Sequence, residues 1–488
     1  MAEFGYARHD WSAMKWFSTT DEWLSRWLIE RVLALTYVVA FAVVINQFRP
    51  LLGEHGLMPV PDYLRRVRFR KSPSLFHARY SDRLVLIVGW VGVVIAASLV
   101  VGLPQAAPLG VSLAAWFVLW ALYLSVVNVG QTFYSFGWET LLVEAGFLAM
   151  FFGNAATHPP AGIMWLLRFL LFRLEFGAGL IKMRGDSCWR DLTCLDYHHE
   201  TQPMPNPLSR YFHLLPKRLH RIETFSNHVA QLVVPWFLFA PQPVATVAAL
   251  IIAITQGWLM LSGNFSWLNF VTIGLALSVL DERLLERVLP IDPVQTSAAP
   301  AWHAVLVWLV TAVVLVLGYF PIRNMISKRQ AMNASFNSLR LVNTYGAFGS
   351  VTRTRYEIII EGTDDLDPHR ATVWREYEFK GKPGDVRRRP RQFAPYHLRL
   401  DWLMWFAALS PSYAQGWFDP LMRKLLNNDP ATLRLLRTNP FPDTPPAFLR
   451  ARRYEYRYTT RQQHKDTGAW WVRTFANDFI RPVRRPMR

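Results

Sequence analysis

The stretch RFLLFRLEFGAGLIKMRGDSCWRDLTC, from Arg168 to Cys194, decides how this chain is read. Its first half has the length and apolar content of a membrane-spanning helix. Yet it carries Arg168, Arg173, Glu175 and Lys182, and it runs into the only two cysteines of the chain, Cys188 and Cys194. On an ideal helix Arg168, Glu175 and Lys182 fall within about 40° of one another, whereas Arg173 lies on another face. Successive members of the trio are about 10.5 Å apart along the axis, so Glu175 meets either neighbour only through extended side chains. A charge at the bilayer centre costs at least about 2.5 kcal/mol even on the permissive insertion scale. The face is therefore expected to turn from lipid into a bundle interior or a wet cavity, with Gly179 letting a neighbouring helix or a ligand come close. The segment 136–150 offers a partner, because Glu139 and Glu144 are its only acids and Glu144 opposite Arg168 or Arg173 makes a neutralising pair. Two readings stay open: structural pairs with snorkelling ends, or a functional polar cavity in which a desolvated Lys182 acts as a base.

Composition supports the membrane reading. The 488 residues are 52% hydrophobic with 21 tryptophans and a mean hydropathy of +0.12, too apolar for an ordinary soluble enzyme. No Asp, Glu, Lys or Arg occurs from Leu84 to Trp138 or from Thr224 to Leu280. Each gap holds at least two spans of about 20 residues. The expected spans are 32–48, 84–103, 109–128, 137–153, 161–182, 225–241, 244–262, 264–281 and 302–321. An odd count places the termini on opposite sides. The expected fold is thus a polytopic α-helical membrane protein of about nine spans with a C-terminal α+β extramembrane domain. Residues 1–31, with alternating aromatic and charged groups, read as an interfacial amphipathic segment. Residues 32–322 form the membrane domain, with long Arg- and His-rich loops at 49–83 and 182–224, and 323–488 the extramembrane domain. No cleaved signal peptide is expected, since the first apolar run starts near Val32 behind charged sequence.

Residues 323–488 hold 30 Lys or Arg against 15 Asp or Glu, so a strongly basic domain follows a nearly balanced one. Anionic lipid headgroups or an acidic partner fit that charge. No recognisable nucleic-acid motif accompanies it, and nucleic acid is not expected as a partner. Strands are expected at 354–362, 374–379 and 450–459, and helices at 398–409 and 420–437.

Cys188 and Cys194 close a loop short enough for a disulfide that would pin the segment after the charged helix, two reduced thiols being the other reading. Their spacing is not that of a Cys-x-x-Cys redox centre. His198, His199 and Glu200 follow, with His213, His220 and His228 beyond, but the spacings match no specific metal pattern, and no metal or cofactor is expected. There is no nucleophile elbow, phosphate loop, zinc-protease helix or complete dinucleotide fingerprint. Orientation divides two rules. Basic loops and a basic tail favour the cytoplasm, whereas a bonded cysteine pair favours the oxidising side.

Longer motifs go further. GAGLIKMRGDSCWRDLTCLDYHHETQPMPNPLSRYFHLLP (177–216), ETFSNHVAQLVVPWFLF (223–239) and SGNFSWLNF (262–270) closely resemble the lipase maturation factor family. NTYGAFG (343–349), YEIIIEGTDD (356–365), APYHLRLDWLMWFAALS (394–410) and GAWWVR (468–473) resemble that family's C-terminal domain. The resemblance implies a non-enzymatic membrane chaperone that assists folding and assembly of secreted dimeric lipases, with a cytosolic N-terminus and a lumenal C-terminal domain. In animals the membrane is that of the endoplasmic reticulum. The excess of Arg over Lys and the Ala- and Val-rich spans point to a GC-rich bacterium, in which the plasma membrane takes that place. His198, His199, Trp402, Trp405, Trp470 and Trp471 are then candidates for client contact or for packing. The membrane half is also distantly similar to vitamin K-dependent carboxylases, through Ala178, Gly179 and Lys182. That similarity implies a membrane enzyme acting on a lipid-soluble substrate or cofactor in a cavity lined by Arg168, Glu175 and Lys182.

Overall fold

The computed structural model describes residues 22–291 and 294–485. Residues 1–21 of the expected amphipathic segment lie outside the described residues, and from Trp23 the chain is already in the first long helix. The helices of ten or more residues in the first part are α1 (Trp23–Leu52), α2 (Asp82–Val101), α3 (Leu109–Val129), α4 (Gly137–Ala149), α5 (Ala161–Arg184), α6 (Lys217–Leu232), α7 (Val244–Ser262), α8 (Leu268–Leu277) and α9 (Ala301–Ile326). Five of them, α1, α2, α3, α7 and α9, are long and apolar enough to cross a membrane. Helix α5 has the length but carries the charges, and α4 and α8 are only 13 and 10 residues long. The expected span at 225–241 is not one helix. Helix α6 ends at Leu232, and Pro235, which has no N–H and crowds the preceding turn, is the second residue of a 3₁₀ segment, Val234–Phe239, that follows.

Helix α1 is the hub. It runs against α2 at close range because Gly89 and Gly92 leave room for Ile45 and Phe41, where a Cβ would come within 2.6 and 2.5 Å. Its Tyr37 hydroxyl donates to Leu142 O of α4 at 3.0 Å. At one end of the bundle the Ser25 hydroxyl donates to Leu280 O at 2.9 Å and the Gln242 amide to Val279 O at 2.9 Å. At the other end Asn128 of α3 donates to Ser338 O at 3.1 Å and Trp189 to Phe348 O at 2.8 Å.

The last third folds around an antiparallel sheet of β1 (Arg355–Thr363), β2 (Arg375–Phe379), β3 (Leu436–Thr438), β4 (Phe448–Tyr458) and β5 (Trp471–Arg484), in the spatial order β3-β2-β1-β4-β5. The central pairing sets Ile360 opposite both Tyr377 and Ala451. The helix expected at 398–409 forms as α10 (Arg399–Leu409), and it packs on β1. The expected helix at 420–437 is broken. Helix α11 (Phe418–Leu426) stops at the Asn427-Asn428-Asp429-Pro430 run, Asn428 takes φ +53°, and Leu436 enters β3. Strand β5 escapes the sequence reading because most of its side chains are exposed and no buried face marks a period. One hydrophobic core runs from Trp23 in α1 to Ala451 in β4, so helices and sheet share an interior.

Candidate functional site

The polar face of α5 is filled by partners from this chain. Pro160 precedes the first turn of α5, and at the far end the Gly185 N–H returns to Ile181 O at 2.9 Å. Gly179 lies against α6, where a Cβ would come within 2.7 Å of Leu232, so the glycine serves helix approach. That approach brings in the amides of α6. Lys182 Nζ donates to Asn227 Oδ1 at 2.7 Å and Gln231 Oε1 at 2.8 Å. Its ammonium also stands 4.9 Å from the centre of the Trp189 ring. The amide of Gln231 donates to Glu175 at 3.2 Å, and Gln256 of α7 does so at 2.7 Å while accepting from Asn269 of α8 at 2.7 Å. Glu175 and Lys182 are thus joined through Gln231, which spans the gap that their helical separation leaves.

The other two charges go elsewhere. Arg168 reaches Glu22, ahead of α1, at 2.8 Å and lies over the Trp165 ring. Arg173 pairs with Glu144 of α4 and donates to Asn343 O at 2.7 Å. Glu144 also accepts from the Asn343 N–H and side-chain amide, both at 2.9 Å, and from the Tyr345 hydroxyl at 2.7 Å. The expected pair therefore forms with Arg173 and not with Arg168. A second buried pair was not anticipated: Arg399 of α10 meets Glu139 of α4 at 2.8 Å with both side chains fully buried. Gln47 of α1 donates to His397 O at 2.7 Å and accepts from the Arg399 N–H at 3.0 Å. Breaking such a buried pair costs about 3–5 kcal/mol, so both act as bolts between elements distant in sequence.

Cys188 and Cys194 form the expected disulfide. The bridge itself is buried and packs with Trp189, Leu195 and Val351, while Arg190 and Asp191 of the loop it closes are exposed. Beyond it, His198 and His199 are buried, His198 against Phe265 and Phe348 and His199 with Nε2 3.5 Å from Glu223. Burial holds His198 well below the ordinary imidazole value and, with His199 and His220 beside it, pushes His213 down to about 4. Among the described residues no cluster of three or more His, Cys, Asp or Glu side chains is arranged to hold a metal. This segment is sewn to the sheet. The Tyr458 N–H donates to Glu200 at 2.6 Å, Arg210 donates to Thr459 O at 2.9 Å, and Arg355, paired with Glu357 at 2.5 Å, donates to Glu200 O at 3.0 Å.

Trp402, Trp470 and Trp471 are buried, and Trp405 is half-buried with its indole donating to Thr201 O at 3.1 Å. Trp402 meets Phe136, Trp138 and His397 edge to face, while Trp471 stacks on Tyr458. The residues that sequence reasoning missed are chiefly Asn227, Gln231, Gln256, Asn269 and Gln47. Their signal was available: each is an amide within an apolar run, where an unmet donor is costly.

Residues 24–287 match the family model of the lipase maturation factor transmembrane domain, and residues 341–481 that of the lipase maturation factor C-terminal domain. Among curated proteins, the chain is 40% identical to lipase maturation factor 1 of Bos taurus, over 95% of this chain and 89% of the relative. The human protein of that name is 37% identical over 94% and 88%, and human lipase maturation factor 2 is 27% identical over 94% and 82%. No solved structure matches. With both halves matched in order and close relatives aligned almost end to end, the chain belongs to the lipase maturation factor family.

Proposed function

We propose that this protein is a membrane-embedded folding factor for secreted lipases, acting without a catalytic step of its own. The observation that carries the reading is the 40% identity, over 95% of the chain, to a protein named lipase maturation factor 1. The polar face of α5 supports it, since Lys182 is held by two amides and the face is packed with its own partners. The carboxylase-like alternative needs room for a substrate at Lys182, whereas that ammonium is held by Asn227 and Gln231 and stands 4.9 Å from the Trp189 ring.

The proposed topology has nine passes, the four shorter or charged segments being sheltered among the five apolar helices. The N-terminal end of α1 faces the cytosol and the sheet faces the lumen or the extracytoplasmic space. The membrane is the endoplasmic reticulum in a eukaryote and the plasma membrane in a bacterium. Clients meet the outer surface of the sheet and the half-buried Trp405, while His198, His199, Trp402, Trp470 and Trp471 support that surface from beneath.

The test is complementation in cells lacking the endogenous factor, with secreted lipase activity as the readout. Wild-type protein restores secretion, and Lys182→Met at equal membrane abundance restores it to within about twofold. A well-folded Lys182→Met that fails to restore secretion returns the catalytic reading. Failure of the wild type to restore secretion or retain a lipase in pull-down overturns the lipase assignment.

A further inference from the structure

We infer that the connection between α1 and α2 is a docking surface for anionic phospholipids of the surrounding membrane. Residues 60–79 hold six Lys or Arg against one Asp. Arg65 pairs with that Asp62, which leaves five cations without a carboxylate. Among the described residues, the exposed side chains of Arg68, Arg70, Lys71 and Arg79 make no ion pair or hydrogen bond, and exposed Arg66 reaches only Asp62 O at 3.0 Å. Two bulky apolar side chains stand out beside them, Phe69 at 58% exposure and Leu75 at 50%.

The segment is folded into one patch. The Lys71 N–H returns to Arg68 O at 3.0 Å, and His77 Nε2 stands 3.0 Å from Val67 O. The Phe69 and His77 rings meet edge to face 5.6 Å apart, so residues 75–79 lie back against 67–71. The patch stands where three apolar helices end. Gly89 faces Ile45 and Gly92 faces Phe41, so α1 and α2 run antiparallel, and Arg49 meets Asp82 at 3.5 Å where the connection leaves and returns. The Ser72 and Ser74 hydroxyls donate to Asn128 O at 2.7 Å and Ser125 O at 2.9 Å, at the end of α3. All three helices are long and apolar enough to cross a membrane.

Helices that leave the hydrocarbon pass through the phosphate headgroups. Cations interleaved with bulky apolar side chains bind an anionic lipid surface, where phosphates meet the charges and acyl chains the apolar groups. Zwitterionic headgroups carry no net charge to balance five cations, whereas phosphatidylglycerol carries one negative charge per molecule. An acidic protein segment answers the cations but not the neighbourhood of three span ends. The inference rests on the membrane fold and not on the identity of the client.

The experiment uses the full chain in mixed micelles holding equal amounts of phosphatidylglycerol and phosphatidylcholine with identical acyl chains. Retained lipid is counted by native mass spectrometry. The wild type is expected to keep phosphatidylglycerol about tenfold over phosphatidylcholine. Combining Arg66→Gln, Arg68→Gln, Arg70→Gln, Lys71→Gln and Arg79→Gln should bring that ratio below about twofold. Combining Arg370→Gln, Arg423→Gln, Arg461→Gln, Lys465→Gln and Arg481→Gln, exposed cations of the sheet half, should leave it unchanged. Equal retention of both lipids by the wild type overturns the proposal and leaves an acidic protein or water facing the patch. An equal fall in both variants reports general basicity and overturns the site. A phosphatidylglycerol with a photoreactive headgroup tests the wild type without any substitution. Crosslinks should fall within residues 60–79, and crosslinks confined to other segments overturn the assignment.

Discussion

Replacing Glu144 with Gln keeps the shape of the side chain and removes its charge. One carboxylate oxygen takes the Arg173 guanidinium, while the other accepts the Asn343 N–H and amide at 2.9 Å and the Tyr345 hydroxyl at 2.7 Å. A Gln amide must turn its NH₂ to one of these two sides. Facing Arg173, it leaves a buried guanidinium with Asn343 O at 2.7 Å as its remaining acceptor. Facing Asn343, it meets three donors with further donors. Removing one partner of a buried pair costs about 3–5 kcal/mol, and each unmet donor about 1–3 kcal/mol, so a loss of about 4 kcal/mol is expected. The assay is equilibrium unfolding of the full chain in mixed micelles, arranged as a double-mutant cycle with Arg173→Leu. Combining Glu144→Gln with Arg173→Leu removes the penalty of an unpaired ion, so the double variant should be more stable than the sum of its singles predicts by about 3 kcal/mol. A Glu144→Gln loss below about 0.5 kcal/mol, or a cycle without coupling, would refute the reasoning.

Three other outcomes are expected. The His397 imidazole, facing Glu139, Arg399 and Trp138, is pushed down to about 4 from 6.5, first by burial and then by Arg399. The unfolded chain binds the extra proton between those values, so the stability is complete above about pH 6.5 and is lost as pH falls toward 4. Unfolding at pH 5 should therefore show about 2 kcal/mol less stability than at pH 7 from this group, and His397→Gln should flatten the difference. Gly179→Val drives a side chain into Leu232 and Gln231 and should destabilise by about 1–3 kcal/mol, measured by the same unfolding, whereas Gly257→Ala, which meets open space, should not. Cys188→Ser should cost about 2 kcal/mol, and in the wild type a thiol reagent should label neither cysteine until a reductant is added.

The sequence carried the parts of this arrangement that depend on charge in an apolar context. Four ionisable groups on a span demanded shelter, and the acid of α4 that faces Arg173 was legible because 136–150 holds so few candidates. Gly179 was legible from its place on the charged face, and the cysteine pair from its spacing. The joining of Glu175 to Lys182 was missed, since Gln231 carries no charge, and an amide in an apolar run signals that it needs a partner without saying which. Nor was the partner of Glu139. Arg399 sits in a helix that reads as part of a separate extramembrane unit, and nothing local in RLDWLMWFAAL signals that its first residue enters the bundle. Strand β5 was missed for the opposite reason, its exposed side chains leaving no alternation to detect.

The two bolts at Glu139 and Glu144 bear on how the protein is made. Both acids belong to α4, whereas Asn343, Tyr345 and Arg399 lie in the last third of the chain. At about 5–20 residues per second, a ribosome needs roughly 10–50 seconds after completing α4 to deliver Arg399. Through that interval the nascent bundle carries an acid in α4 whose cation has not yet been synthesised. The membrane half therefore cannot reach its final packing ahead of the sheet. A chain truncated before residue 343 leaves Glu139 without its cation and Glu144 with Arg173 alone, and presents both to whatever surveys unfinished membrane proteins, so a folding factor built this way is itself a demanding client of the machinery it serves beside.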